Sequence, residues 1–327
     1  MEQEYIALTI NGLEDISINE IKEILKVPVK KVVLERILFK TKDIQKLISK
    51  THSLNTVYQL INYFKFKNKN EILNKVKDIN FDFIKKDFLV RCKRVGEHKF
   101  DSMEIEKSIG EIIFHQDHKV NMENPEILIY IDIIDNLCFI GVLIKKDLCK
   151  RDYRVRICSA SINACIAYSL LKIAESKKED VILDPFCKDG IIPIEAYLSG
   201  YKKIKASDET FFNVKSSKIN AKIAKAKINF SQYGVDWLDT KIKGKSIDKI
   251  ITSIPSESKS KSVEETEKLY KELFNQSNYV LKKRGTITIL TKKPNLLIKI
   301  AKENKYKLIK KRKIIKGETH YILIFKK

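Results

Sequence analysis

The residues with the most chemistry in this chain lie in the run Asp184-Pro185-Phe186-Cys187-Lys188-Asp189-Gly190. It sits between a short apolar strand, Val181 to Leu183, and a segment of helical spacing, Ile191 to Leu198. A loop at the carboxyl end of a strand is where an α/β sheet binds ligands. Later strand ends carry oxygen-bearing side chains in order: Asp208 after the second strand, Asp236 near the end of the third and Ser253 after the fourth. A nucleoside cofactor needs this layout. One loop approaches its charged tail, an acid about 20 residues further on accepts the ribose hydroxyls, and a later acid accepts from the adenine amine. One acid after a strand is an ordinary cap, whereas three in order point to a nucleotide-binding sheet. A lysine-bearing phosphate loop is excluded, because no glycine precedes Lys188 at the required spacing.

These groups need elements to position them. From Ser161 onward helix and strand alternate, with helices over Ile162–Ala174, Ile191–Leu198, Phe211–Ala226 and Val263–Leu281. Strands are expected at Val181–Leu183, Lys203–Ser207, Ile228–Tyr233, Ile247–Thr252, Thr286–Leu290 and Tyr321–Phe325. Such alternation predicts an α/β fold with a mostly parallel sheet covered on both faces. Upstream, residues 1–80 read as a small α+β unit: a strand at Tyr5–Ile10, a helix at Ile16–Leu25, a second strand across Val32–Phe39, and a long helix over Ile44–Phe64. Residues 81–147 hold a strand at Phe88–Cys92, a donor-rich turn from Arg94 to Phe100, a helix from Met103 to Phe114 capped by Asp101 or Ser102, and a hairpin turning at Ile134-Asp135-Asn136. The basic stretch 148–160 is read as a linker, and 161–327 as the α/β domain.

Composition limits the function classes. With 327 residues, 43% hydrophobic and 32% charged, the chain can bury a sizeable core. Its apolar runs fall short of the roughly 20 residues that span a bilayer. Its first residues lack the basic and apolar regions of a secretory signal, so a cytoplasmic setting is expected. None of the six cysteines form a C-x-x-C pair and no His/Cys cluster has metal spacing, so reduced, buried thiols and no metal are expected. The formal charge of +22 favours a polyanion partner, of which nucleic acid is the commonest, although a lysine-rich coding bias would produce the same excess.

The C-terminal block resembles the S-adenosylmethionine-dependent catalytic domain of the THUMP-containing RNA methyltransferases, which methylate the exocyclic N2 amine of guanosine. Asp184-Pro185-Phe186-Cys187 and Ile192-Pro193-Ile194-Glu195-Ala196 match that family's D-P-F-C-G-S-G-T-I-P-I-E-A loop, and Ala206-Ser207-Asp208 its ribose-binding G-S-D. Arg151-Asp152-Tyr153-Arg154 resembles the R-x-Y-R joint, and Arg94-Val95-Gly96-Glu97-His98-Lys99-Phe100-Asp101-Ser102 with Gly110 resembles the THUMP string. The resemblance implies a ferredoxin-like unit and a THUMP domain (81–147) that grip tRNA, followed by a Rossmann-like domain that binds S-adenosylmethionine. Asp184 and Gly190 would face the methionine end, Asp208 the ribose and Asp236 the adenine, with Phe186 and Cys187 also binding the cofactor. Arg94, His98, Lys99, Ser102, Lys150, Arg151 and Arg154 would contact RNA.

Two positions depart from the family. Lys188 stands where the family has glycine, and Ser253-Ile254-Pro255-Ser256 stands in place of N-P-P-Y or D-P-P-Y. Lysine takes up space and sets a charge against a sulfonium. Ser253, Pro255 and Ser256 are the expected catalytic residues, and of the family's groups only the proline is kept. An oxygen acceptor and a carbonyl hold the amine lone pair on line, and an aromatic residue stacks the extruded base. The expected function is therefore a tRNA guanosine-N2 methyltransferase. The alternatives are an RNA-binding relative that has lost catalysis, and a methyltransferase for rRNA or another base. Trp237 is expected in the core or on adenine. Lys215, Lys218, Lys222 and Lys225 form a helical stripe, and the tail Lys299–Lys316 is either a phosphate-binding run or a solvated face.

Overall fold

The computed structural model describes residues 2–255 and 262–327. The chain folds as two compact units, each assembled from more than one stretch of sequence.

The first unit comprises the residues up to Leu8, Ile21–Lys50 and Thr56–Asp147. Its elements, with a helix that begins in the second unit, are β1 (Gln3–Leu8), α1 (Glu14–Leu25), β2 (Val29–Val33), β3 (Arg36–Thr41), α2 (Ile44–Lys50), β4 (Thr56–Lys65), α3 (Lys69–Lys77), β5 (Asp87–Val95), α4 (Ser102–Phe114), β6 (Lys119–Val120), β7 (Ile127–Ile134) and β8 (Leu137–Lys145). One sheet runs β2-β3-β1-β4-β8-β7-β5-β6. The blocks expected at 1–80 and 81–147 thus share a sheet through the antiparallel pairing of β4 with β8.

The long helix expected over Ile44–Phe64 is two elements, α2 and β4. The stretch Thr56-Val57-Tyr58-Gln59-Leu60-Ile61 is rich in β-branched and aromatic side chains. Such side chains fit a pleated, half-buried surface, and β1 and β8 flank them. Arg36 on β3 is fully buried. Its Nε and Nη2 donate to the two oxygens of Asp132 on β7 at 2.9 and 2.5 Å, and the Tyr58 hydroxyl of β4 donates to the same carboxylate at 3.1 Å. A two-pronged guanidinium–carboxylate pair of this kind fixes geometry as well as charge. Ile105, Ile109 and Ile113, the inner stripe of α4, pack on Phe88, Ile129 and Ile131 of the sheet.

The second unit comprises Thr9–Glu20, Thr51–Asn55 and Leu148–Lys327. Its further elements are α5 (Ala164–Ile173), β9 (Ile182–Asp184), α6 (Ile191–Leu198), β10 (Ile204–Asp208), α7 (Phe211–Ile223), β11 (Asn229–Gln232), α8 (Leu238–Lys241), β12 (Ile247–Ser253), α9 (Val263–Val280), β13 (Leu281–Thr291), α10 (Pro294–Glu303), β14 (Lys307–Lys316) and β15 (Glu318–Lys326). The sheet order is β11-β10-β9-β12-β13-β15-β14. It is parallel from β11 to β13 and antiparallel at β15 and β14, the mostly parallel α/β sheet that the alternation predicts. Strand order reverses between β9 and β12, which opens a crevice at their carboxyl ends.

The basic tail spans the second half of α10, a helix begun by Pro294, and the edge strand β14. Most β14 side chains are exposed, and charged side chains on an edge strand discourage pairing with other sheets. Arg312 instead grips Asp15 with both terminal nitrogens at 2.7 Å.

Candidate active site

The chemistry assembles around the loop after β9. Asp184 is buried, and its Oδ1 accepts from the Thr252 hydroxyl of β12 at 2.6 Å and from the Phe186 amide at 3.2 Å. Burial pushes this carboxyl up to about 7 against those hydrogen bonds. Cys187 turns inward. Its thiol lies 3.6 Å from Ser217 Oγ, its amide donates to Ser207 and its carbonyl accepts from Gly190, so its side chain belongs to the core rather than to a ligand. Phe186 packs, partly buried, beside the apolar cluster around β12 and α9. Gly190 is left-handed (φ 81°), and a Cβ there would stand 3.2–3.3 Å from Ser217, Ile194 and Phe230. Its role is to turn the chain against the core.

Lys188 also adopts a left-handed conformation (φ 51°). Its amide donates to Asp208 Oδ2 at 3.0 Å, its carbonyl accepts from Ser217 at 2.7 Å, and its ammonium donates to the Ala160 carbonyl at 3.0 Å. Burial lowers its pKa, while Asp184, Asp208 and Asp189 oppose that shift and offset its charge. The neighbouring Asp189 is buried and accepts from Arg154 Nη2 at 2.8 Å and Ser161 Oγ at 2.6 Å.

The joint Arg151-Asp152-Tyr153-Arg154 closes on the other half of the same motif. Glu195 of α6, fully buried, accepts from Arg151 Nε at 2.8 Å and Nη2 at 3.1 Å, from the Tyr153 hydroxyl at 2.7 Å and from His52 Nδ1 at 2.8 Å. These donors hold Glu195 down to about 2 despite its burial. Arg151 and Arg154 are therefore occupied inside the unit, and the RNA contact expected of them gives way to positioning the loop. Lys150, in the same stretch, is exposed.

Asp208 ends β10 and accepts three hydrogen bonds, from Lys188, Thr210 and the Asn213 amide, the last two at 3.1 and 2.9 Å on Oδ1. A carboxylate has room for about one more donor. Asp236 lies exposed in a short helical turn after β11. Trp237 beside it is 51% exposed, with Lys241 Nζ 5.9 Å from its ring centroid, so the expected core packing does not occur. Lys215, Lys218, Lys222 and Lys225 are all exposed along α7 and beyond it.

A pocket of about 330 Å³ joins the two altered motifs, with Lys188, Ser253 and Ile254 in its lining. Pro255 does not line it, and the Pro255 carbonyl accepts from the Tyr270 hydroxyl at 2.8 Å. Ser256 lies outside the described residues. The hairpin of β14 and β15 contributes Lys316, the last residue of the basic tail, together with Glu318 and His320, which the sequence does not single out because their place depends on a strand pairing.

The donor set fits a nucleoside cofactor: Asp208 retains acceptor capacity, Asp236 is open, and Lys188 is balanced by carboxylates. Among the described residues no group of three or more His, Cys, Asp or Glu could hold a metal ion, and no helix is long and apolar enough to cross a membrane.

In the first unit the string from Arg94 to Ser102 is largely a folding device. Arg94 Nη1 donates to the Gly96 carbonyl at 3.2 Å and to His98 Nδ1 at 3.0 Å, and His98 Nε2 donates to the Asp135 carbonyl at 2.6 Å. The His98 ring lies against Phe66 and Phe100. Lys99 is exposed, and Ser102 opens α4 behind its cap Asp101.

Comparison with known proteins identifies both halves of the chain. A THUMP domain model matches residues 66–143. The chain is 37% identical over 139 residues to a tRNA (guanine(6)-N2)-methyltransferase of Archaeoglobus fulgidus, covering 39% of this chain and 36% of that protein. It is 32% identical over 213 residues to the enzyme of the same name from Methanocaldococcus jannaschii, covering 59% and 55%. The chain thus spans about a third to a half of the length of these relatives. The crystal structure of TrmN from Thermus thermophilus superposes with a TM-score of 0.82 at 19% identity, covering all of both chains, and shares the fold. Residues 151–322 match the model for "RMKL-like, methyltransferase domain" (UPF0020), slightly more than half of the sequence, and the chain belongs to that family.

Proposed function

We propose that this protein transfers a methyl group from S-adenosylmethionine to the exocyclic N2 amine of a guanosine in tRNA. The observation that carries the reading is the single pocket into which both the Lys188 loop and the Ser253-Ile254 end of β12 open. The two relatives named as tRNA guanine-N2 methyltransferases support the choice of acceptor.

S-adenosylmethionine, when bound, supplies an electrophilic methyl group. Asp208 would hold the ribose and Asp236 the adenine, with the loop from Asp184 to Gly190 facing the methionine end. Ser253 would accept a hydrogen bond from the target amine and keep its lone pair in line, a positioning effect. Pro255 acts at one remove, since Tyr270 takes its carbonyl and fixes the end of β12. The THUMP domain, with exposed Lys99, would dock the RNA in the cytoplasm, helped by Lys150.

The test is incubation of the full chain with tRNA and methyl-labelled cofactor, followed by nucleoside analysis. N2-methylguanosine is expected. A second reading, an RNA-binding relative without catalysis, is favoured by the Tyr270 contact and by Lys188 in the pocket. It predicts salt-sensitive tRNA binding with no heat of cofactor binding. A different methylated nucleoside, or label only in rRNA, would replace the acceptor and keep the reaction class.

A further inference from the structure

We propose that His320 supplies the aromatic surface against which a purine nucleotide lies in the pocket beside Ser253. This rests on the methyltransferase reading only for the identity of the purine. An enzyme that works on an unstacked base needs a flat side chain to receive it, and histidine is one of the rings so used. The sequence leaves that need open, because Ser256 has no ring.

Among the described residues lining the pocket, His320 alone is aromatic. It is placed by backbone geometry. Gly317, left-handed at φ 72°, turns β14 into β15. His320 then pairs in register with Ile314. Side chains two apart on a strand share a face, and Glu318 and His320 both line the pocket. The ring's Nδ1–H donates to the Glu318 carbonyl at 3.2 Å, which restrains its orientation. Glu318 is itself ion-paired to Lys292. Lys316, one residue before the turn, adds a cation at the same rim, suited to the phosphate of a nucleotide. The pocket, at about 330 Å³, lies within the size range of small-ligand sites.

The experiment titrates the full chain and its H320A, H320F and H320Q variants with guanosine 5′-monophosphate by calorimetry. The same proteins are assayed for methyl transfer to tRNA. Alanine and glutamine should each weaken nucleotide binding about tenfold and lower kcat by a similar factor, the size of one lost base–ring stack. KM for tRNA should stay within about twofold, because RNA docking is uniform binding that the variants leave intact. Phenylalanine should recover both quantities, which a structural or proton-transfer role for His320 would not permit. Nucleotide binding that depends on the ring, without methyl transfer by the wild type, would keep this assignment and remove the methyltransferase reading. The assignment falls if H320A equals the wild type in both measurements, or if glutamine restores as much as phenylalanine. It falls also if the wild type neither binds the mononucleotide nor methylates RNA.

Discussion

Lys188 shows how a single side chain shapes this site. A non-glycine residue in the left-handed region carries strain of about 1 kcal/mol, and here the lysine also lines the pocket, its ammonium on the Ala160 carbonyl. Lys188→Gly should therefore bind S-adenosylmethionine about tenfold more tightly by calorimetry, as expected for removing a unit charge near a sulfonium. Weaker binding would show that the ammonium assists the cofactor instead. Asp184 gives a pH signature. Burial raises its folded pKa to about 7 from an unfolded value near 4, so its stabilising contribution is complete below about pH 4 and is lost as pH rises through 7. Both of its hydrogen bonds fall on Oδ1, which asparagine retains. Thermal denaturation should show wild type losing stability relative to Asp184→Asn between pH 5 and 8, and parallel curves would refute this protonation state. At this scale the sequence is informative about strand-end acids, because each is set by its own strand. It is silent about which side chains turn inward: Cys187 and Arg151 read as ligand contacts only until their partners are seen.

Among the elements, the joint before α5 and the helix α6 are welded by Glu195. Four hydrogen bonds hold its carboxylate ionised down to about pH 2. Removing one partner of a buried pair typically costs about 3–5 kcal/mol. Glu195→Gln should thus lower the melting temperature of this unit by roughly 10 °C at pH 7. The folded-state pKa is depressed, so this contribution is present above about pH 4.5 and is lost as pH falls toward 2, where the two proteins should converge. A difference independent of pH would mean that packing, and not charge, accounts for the loss. The two motifs that form this contact are legible separately in the sequence, but the contact itself spans 44 positions and leaves no local pattern. β4 is obscured differently. Its apolar spacing imitates a helix, and only pairing with β1 and β8 makes it a strand. Lysines hide β14 and its hairpin, and with them His320, since charge masks the alternation by which strands are read.

At the scale of the whole molecule, the alternation of helix and strand foretells the sheet of the second unit, while the β4–β8 pairing within the first cannot be inferred from local patterns. The second unit is also assembled from pieces far apart in the chain, Thr9–Glu20 and Thr51–Asn55 joining Leu148–Lys327. Glu20 is buried there and accepts from Thr51, His52 and Ser53. The sheet of this unit is completed by β15, which inserts between β13 and β14. Synthesis runs from the N-terminus, and domains generally fold as they emerge. The first unit has all its strands once Lys145 has left the ribosome. The second must hold its earliest residues in waiting until its final strand arrives. Until β15 emerges, the strand edges of β13 and β14 lack the partner that sits between them, and Asp15 waits for Arg312, so the nascent second unit is exposed to mispairing over that interval.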